Sequence, residues 1–390
     1  MTFVALDNKD WCKGIYHQGQ LVFDRLPENL KRTWKYSSYL SDRDVLYASL
    51  YAQGRGIDDV CPPQLAEEWQ YYKKRLKAYH NSFVEAKVDL EQNCFFDLVP
   101  DQFLLELCET KVKIINNVFE TTPKPENYDL LLGAEKIIHD IGNRELNVDL
   151  SPIKDNLHDT RARALMRRLK GKNKVSYNLF GSKTGRLSIN PGTFPILNLD
   201  KEYKSILKPQ NDLFLELDFN AAEVRTLLAL SGQEQPKEDI HEWNAKRLGM
   251  TREEVKKEIF SWLYGSKKVD GSKYENLFKL NKIMNQFYDG SIIKNLFNRK
   301  IKSDQFHSLN YLIQSTTSDL VLEQLVKINK LILNKTSFIS FLVHDSVVID
   351  LSREDRELVN LIVETFSDTR LGRFPVNISA GKNYGEMRKL

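Results

Sequence analysis

Two rhythms of apolar and polar positions alternate along this chain. Unbroken apolar runs or period-two alternation mark strands, and apolar residues three and four apart mark helices. Residues 3–6 read as a short apolar strand, with 14–23 able to pair with it. Residues 42–53 read as helix, and Cys61-Pro62-Pro63 breaks the pattern. From 64 to 86 a charged helical segment carries Trp69, Tyr72, Leu76 and Phe83 as its apolar stripe. Residues 100–119 and 128–141 continue the helical reading, with a stop at Gly142-Asn143. This succession predicts an α-rich lobe.

The second half reads differently. Residues 175–199 form a loop region with turn signals at Gly181, Gly185 and Pro191-Gly192. A strand at 213–219 leads into a helix at 221–231, and 236–300 is charged and mostly helical, with turns at Gly265, Asp270-Gly271 and Asp289-Gly290. A long amphipathic helix at 305–333 precedes a strand at 337–343, a tight turn at His344-Asp345, a strand at 346–351, a helix at 354–366 and a closing strand at 375–380. Half a sheet, a helical insertion and the second half of the sheet predict an α+β core with two helical lobes.

Two of these strands end on an acid. The segments LFLELDFNAAEVR (213–225) and FISFLVHDSVVID (338–350) deliver Asp218 and Asp345. Carboxylates raised on neighbouring strand ends make a hard, oxygen-only site of the kind Mg²⁺ prefers. Such a pair can hold two ions about 4 Å apart for in-line phosphoryl transfer.

Composition narrows the picture little. The 390 residues are 41% hydrophobic and 28% charged, ordinary for a globular chain, and the net charge of +4 says little about nucleic acid. The distribution says more: RARALMRRLKGKNK at 161–174 holds seven basic residues, Arg167, Arg168 and Lys170 among them, and no acid. A solvated helix face and phosphate contact are both consistent with it, and uncompensated positives favour the second. Cys12, Cys61, Cys94 and Cys108 show no CxxC spacing and read as free thiols of a reducing compartment. The N-terminus lacks the pattern of a signal peptide, and no apolar run is long enough to span a membrane.

In TREEVKKEIFSWLYG (251–265), Arg252, Lys256, Phe260 and Tyr264 recur every fourth residue. On a helix they share one face, two cations followed by two aromatics. That face suits a nucleoside triphosphate, and it equally suits an amphipathic helix with its rings in a core.

The order of motifs decides between these readings. TGRLS at 184–188, DFNAAEVR at 218–225, DIH at 239–241, the R-x3-K-x3-F-x3-Y-G face at 252–265, N-x3-Q at 310–314 and VHD at 343–345 follow one another. The succession resembles the polymerase module of family A (Pol I-like) DNA polymerases over about residues 100–390, most closely from Tyr177 onward. The resemblance implies a right hand with an antiparallel palm sheet bearing the catalytic aspartates. Residues 64–174 would be a helical thumb, 175–235 and 301–390 the palm, and 236–300 the fingers, after an N-terminal segment 1–63. It implies that Asp218, Asp345 and the backbone carbonyl of Phe219 hold two Mg²⁺ ions, with Mn²⁺ able to substitute. Glu223 would exclude a ribose 2′-hydroxyl, and His241, Arg252 and Lys256 would bind the triphosphate. Phe260 would pack on the incoming sugar and Tyr264 beside the nascent pair. Arg186, Arg225, Asn310, Gln314 and His344 would lie near the primer terminus and duplex. Primer-template DNA and dNTPs are the implied partners, with a separate exonuclease, helicase or processivity factor. The compact wording looks like a bacteriophage enzyme working in a host cytoplasm.

One position departs from the family. Ser346 stands where the residue after the second aspartate is usually Glu. Single-subunit RNA polymerases carry His-Asp-Ser there, which makes an RNA-polymerase-like enzyme the rival reading. Glu223 and Phe260 argue for DNA, because a glutamate beneath the sugar 2′ position strands a buried hydroxyl. A non-catalytic DNA-binding subunit is a third reading, against which stand the retained Asp218, Asp345, Arg252 and Lys256. Residues 1–63 are too short for a 3′–5′ exonuclease domain, and Asp7 is followed by Asn8 and Lys9 rather than Asp-x-Glu, so no proofreading activity is expected.

Overall fold

The computed structural model describes residues 1–6, 11–23, 25–266 and 270–390. Asp7 and its neighbours to Asp10 lie outside the described residues. The chain divides into two compact units, Met1–His139 and Asp140–Leu390.

The first unit starts with a three-stranded antiparallel sheet, Phe3–Ala5, Gly14–His17 and Gln20–Phe23 in that order. Residues 14–23 are thus a hairpin in themselves. Gln18 and Gly19 turn it with φ of 50° and 78°, the backbone a tight two-residue hairpin requires. The helices Ala66–Glu85 and Asp101–Thr121 pack through Trp69, Phe103, Leu104 and Leu107, with Tyr72, Leu76 and Phe83 on the margin as the stripe predicts. The expected helix at 42–53 shrinks to Ala48–Tyr51, because Leu46–Tyr47 pairs in parallel with Arg32–Thr33. The cysteine reading is corrected as well. Cys12 and Cys94 form a disulfide with Cα atoms 5.6 Å apart, and only Cys61 and Cys108 are free. Folding closes an 82-residue separation that leaves no cue in the spacing.

The second unit is built on a five-stranded antiparallel sheet, in the order Phe338–Val343, Ser346–Leu351, Leu213–Phe219, Val376–Gly381, Arg388–Lys389. Side chains of a strand alternate between faces. Leu215, Leu217 and Phe219 of the central strand point one way, and Phe219 stacks on Phe366 of the helix Val359–Ser367 at 4.2 Å between ring centres. Phe214, Glu216 and Asp218 share the other face, where Phe214 meets Phe341 and Tyr384. The sheet therefore has a helix-backed apolar side and a side that turns acidic toward the end of the central strand.

The long helix Gln305–Ile332 carries small buried residues, Ser315, Thr316 and Thr317, where Ala222–Leu230 approaches. Thr317 Oγ1 and Thr226 Oγ1 are 3.0 Å apart there. Between these two helices the chain forms the helices Ile240–Leu248, Arg252–Leu263, Ser272–Leu277 and Leu280–Phe287, which share one apolar core with them. The region 236–300 also contains a strand, Ile292–Lys294, paired with Lys300–Lys302 across its boundary. That hairpin, the pair Asp368–Thr369 and Gly372–Arg373, and the edge strand Arg388–Lys389 were not legible, being too short to show a period. The architecture is α+β, as expected.

Candidate functional site

The register of the sheet brings the two acids together. Asp218 lies opposite Ser346, and Ser346 follows Asp345. A cross-strand step and one residue of chain put their Cα atoms within about 9 Å. Val343 pairs with Ser346, so His344 and Asp345 form a two-residue turn. His344 takes a left-handed φ of 53° and is exposed, which leaves Asp345 half-buried at the sheet end. Ala221, just past the central strand, has φ 50°. Both acids are therefore flanked by backbone that non-glycine residues adopt at a cost, a frequent property of functional sites.

Electrostatics mark the pair. Burial raises the pKa of Asp218, and the charges of Glu216 and Asp345 push the same way, against a hydrogen bond donated by Asn377 Nδ2 at 3.2 Å. Burial also raises Asp345, with Arg186 and His344 partly offsetting it. A divalent cation would relieve both costs at once. The donors suit it: two carboxylates and the carbonyl of Phe219 are hard oxygens. Among the described residues no group of three or more His, Cys, Asp or Glu side chains is placed to hold a metal. A cation here would complete its shell with water and substrate oxygens, the usual manner of Mg²⁺.

Beside the aspartates sits a closed hydrogen-bonded group. Glu223, 8% exposed, accepts from Arg186 Nη2 and from the Tyr264 hydroxyl at 3.1 Å. Burial raises its pKa, against the Arg186 charge. Arg186 also acts on Asp345, so TGRLS, DFNAAEVR, VHD and Tyr264 of the helix face meet at one place.

The cations gather around His241. Asp239 caps Ile240–Leu248, accepting from His241 N at 3.0 Å and Glu242 N at 2.9 Å, and the same carboxylate takes Arg252 Nε at 3.2 Å and Nη2 at 3.0 Å. Burial pushes the His241 imidazole below its ordinary pKa, and the Arg252 and Lys256 charges push the same way against Asp239. His241 is buried, and its Nδ1 has no hydrogen-bond partner among the described residues. Its ring lies 6.0 Å from that of Phe260. Lys256 and Tyr264 are exposed, and Phe260 is half-buried.

Other expected residues sit differently. Arg225 is 0% exposed. Its guanidinium donates to the carbonyls of Asn220, Pro236 and Glu238 at 3.0–3.1 Å, and burial pulls its pKa down to about 10. Its donors are engaged by backbone carbonyls, so it ties Asn220 to the segment 236–238. Asn310 and Gln314 lie half-buried one turn apart on the long helix. Arg167, Arg168 and Lys170 are exposed at the end of Thr160–Leu169, which is anchored by buried Ala162 and Leu169.

Sequence reasoning missed three neighbours of the acids. Asn377 lies opposite Asp218 on the far side of the central strand and donates to it. Glu216 accepts from the hydroxyls of Ser346 and Tyr384. A polar residue inside the closing strand VNISA was the one available signal for Asn377. A cleft of about 760 Å³ lined by Gln235, Lys237, Leu371 and Phe374 includes none of the expected site residues.

No protein-family model matches the chain, and no curated protein matches it. Among solved structures, the POL domain of Pol1 from M. smegmatis, in complex with DNA primer-template and dNTP, superposes with a TM-score of 0.59 at 13% identity, covering 88% of this chain and 83% of that one. The chain thus has the α+β fold of a polymerase domain with its multi-stranded antiparallel sheet.

Proposed function

We propose that this chain is a template-directed DNA polymerase of the family A type that adds dNTPs to a primer 3′-hydroxyl and releases pyrophosphate. The carrying observation is the register that pairs Asp218 with the residue after Asp345, beside Glu223, on a polymerase-domain fold. The neighbour's bound primer-template and dNTP support those partners here. On this reading 64–174 is the thumb, 175–235 and 301–390 the palm and 236–300 the fingers, and the motif wording favours a bacteriophage enzyme. A separate exonuclease, helicase or processivity factor would complete it.

Asp218, Asp345 and the Phe219 carbonyl would hold Mg²⁺, which when bound activates a hydroxyl and neutralises phosphate charge. Arg252, Lys256 and His241 bind the triphosphate. Lys256 and Arg252 stabilise negative charge that develops on the leaving pyrophosphate. Asn310 and Gln314 check pair shape through minor-groove acceptors that sit alike in all base pairs. Arg186 joins Glu223 to Asp345, coupling the sugar pocket to the metal end.

Extension of a primed template, dependent on Mg²⁺, tests the reading. Absence of extension with either nucleotide set returns the chain to a non-catalytic DNA-binding role, and a preference for rNTPs makes it RNA-polymerase-like. Glu223 gives a sharper test. Its carboxylate is fixed by Arg186 and Tyr264, and on this reading it takes the space a 2′-hydroxyl needs. Glu223→Ala is expected to reduce discrimination against rNTPs by about 10–200-fold, measured as a ratio of kcat/KM values. Phe260→Tyr is expected to raise dideoxynucleotide incorporation by about tenfold, the worth of one hydrogen bond. Unchanged chain termination would remove Phe260 from the sugar pocket.

A further inference from the structure

The strand that carries Asp218 bears a second acid two residues earlier. Glu216 shares the face of Asp218, since alternate residues of a strand point the same way. Its Oε1 lies 3.0 Å from Ser346 Oγ and 3.3 Å from the Tyr384 hydroxyl. Ser346 Oγ also stands 3.0 Å from the Val343 carbonyl. The serine has one proton, so it serves one acceptor at a time, and the buried Tyr384 can keep hold of Glu216 meanwhile. Ser346 is both the partner of Asp218 across the ladder and the residue that closes the Asp345 turn. One hydroxyl therefore connects Glu216 to the backbone that aims Asp345.

The expected acid after Asp345 is absent, and an acid stands on the facing strand, bonded to the serine in its place. Among the described residues no three acids are placed on a single ion, and Glu216 Oε1 is already held by two hydroxyls. Resting on the polymerase reading above, we infer that Glu216 is a positioning residue of the divalent-cation site. Held by Ser346 and Tyr384, it orients the Asp345 turn and accepts hydrogen bonds from water bound to a cation at Asp218. Outer partners of this kind commonly change metal affinity by about 10–100-fold when removed.

The test uses the full chain and Mn²⁺ as the probe, with affinity read by electron paramagnetic resonance without DNA or nucleotide. Glu216→Gln is expected to weaken Mn²⁺ binding by about tenfold and to raise the Mg²⁺ needed for half-maximal primer extension equally. The KM for dNTP, a property of the Arg252–Lys256 face, is expected to stay the same. Glu216→Ser combined with Ser346→Glu returns the carboxylate from the turn side and is expected to recover most of the lost affinity, which a merely structural role for Glu216 would not produce. Tyr384→Phe, which keeps the ring, is expected to weaken Mn²⁺ binding in the same direction and serves as the readout if Glu216→Gln melts early. Wild-type Mn²⁺ affinity and an unshifted Mg²⁺ curve in Glu216→Gln and Tyr384→Phe would overturn the inference, leaving the polymerase reading intact. Failure of the wild-type chain to extend a primer would overturn that reading instead, and the inference with it.

Discussion

Asp345→Asn is expected to lower primer extension by about 10³-fold or more, the several kcal/mol that a bound metal contributes to a charged transition state. The same substitution is expected to raise the thermal midpoint of the metal-free protein at neutral pH. Burial lifts the pKa of Asp345, so the folded chain holds a carboxylate charge at a cost that the unfolded chain escapes. The sign follows from that direction. A raised carboxyl pKa adds stability at low pH, and that contribution is lost as the pH rises through the raised value. The difference in midpoint between wild type and Asp345→Asn should therefore shrink as the pH falls, because protonated aspartic acid and asparagine are both neutral. Added Mg²⁺ should stabilise wild type and leave the variant unmoved. Melting curves across pH, with and without Mg²⁺, check all three statements. A variant that loses extension and also melts lower at every pH would mark Asp345 as a structural acid.

The largest stability effect is expected from Asp319→Ala. The Asp319 side chain is fully buried and Arg299 is 11% exposed. Asp319 accepts from Arg299 Nε at 2.9 Å and Nη2 at 2.6 Å, and from Asn295 Nδ2 at 2.8 Å. Removing the acid leaves a guanidinium unpaired in the interior, at about 3–5 kcal/mol. For a chain of this size that lowers Tm by roughly 5 °C. Replacing both partners, Asp319→Leu with Arg299→Met, is expected to cost far less, since two charges then leave together. The pair also supports the site. The Arg299 guanidinium lies against Gly185, where a Cβ would come within 2.5 Å of it, and Ser318 Oγ donates to the Gly185 carbonyl at 2.9 Å. Gly185 precedes Arg186, so Asp319→Ala should also weaken discrimination at Glu223. Equal Tm in Asp319→Ala and wild type would contradict the argument.

The elements that carry the acids were legible because their apolar runs are long and end sharply. LFLELDF and FISFLV form strands within a residue of where their patterns place them. The long helix was legible from its period, and it too begins and ends within a residue of expectation. Residue pairs across strands were not legible, because period two states which face a side chain takes and not which residue stands opposite. Asn377 and the Glu216–Ser346 contact are facts of register. The surroundings of Arg225 were hidden for another reason. A charge inside the short helix AEVRTLLAL reads the same whether it meets solvent or a ring of carbonyls, and only the return of the chain through 235–238 supplies that ring. The Cys12–Cys94 bond depends likewise on distant segments meeting.

Arg225 ties the start of its own helix, at Asn220, to Pro236 and Glu238, where the chain sets out toward the Arg252 face. Bonds from one planar guanidinium to three separate carbonyls fix direction as well as position. The segment that leads to Asp239, and through it to Arg252, is therefore moored to the helix of Glu223 by a single buried side chain. Lengthening the chain between Leu230 and Pro236 is expected to slacken that mooring while every residue of the Arg252 face stays unchanged.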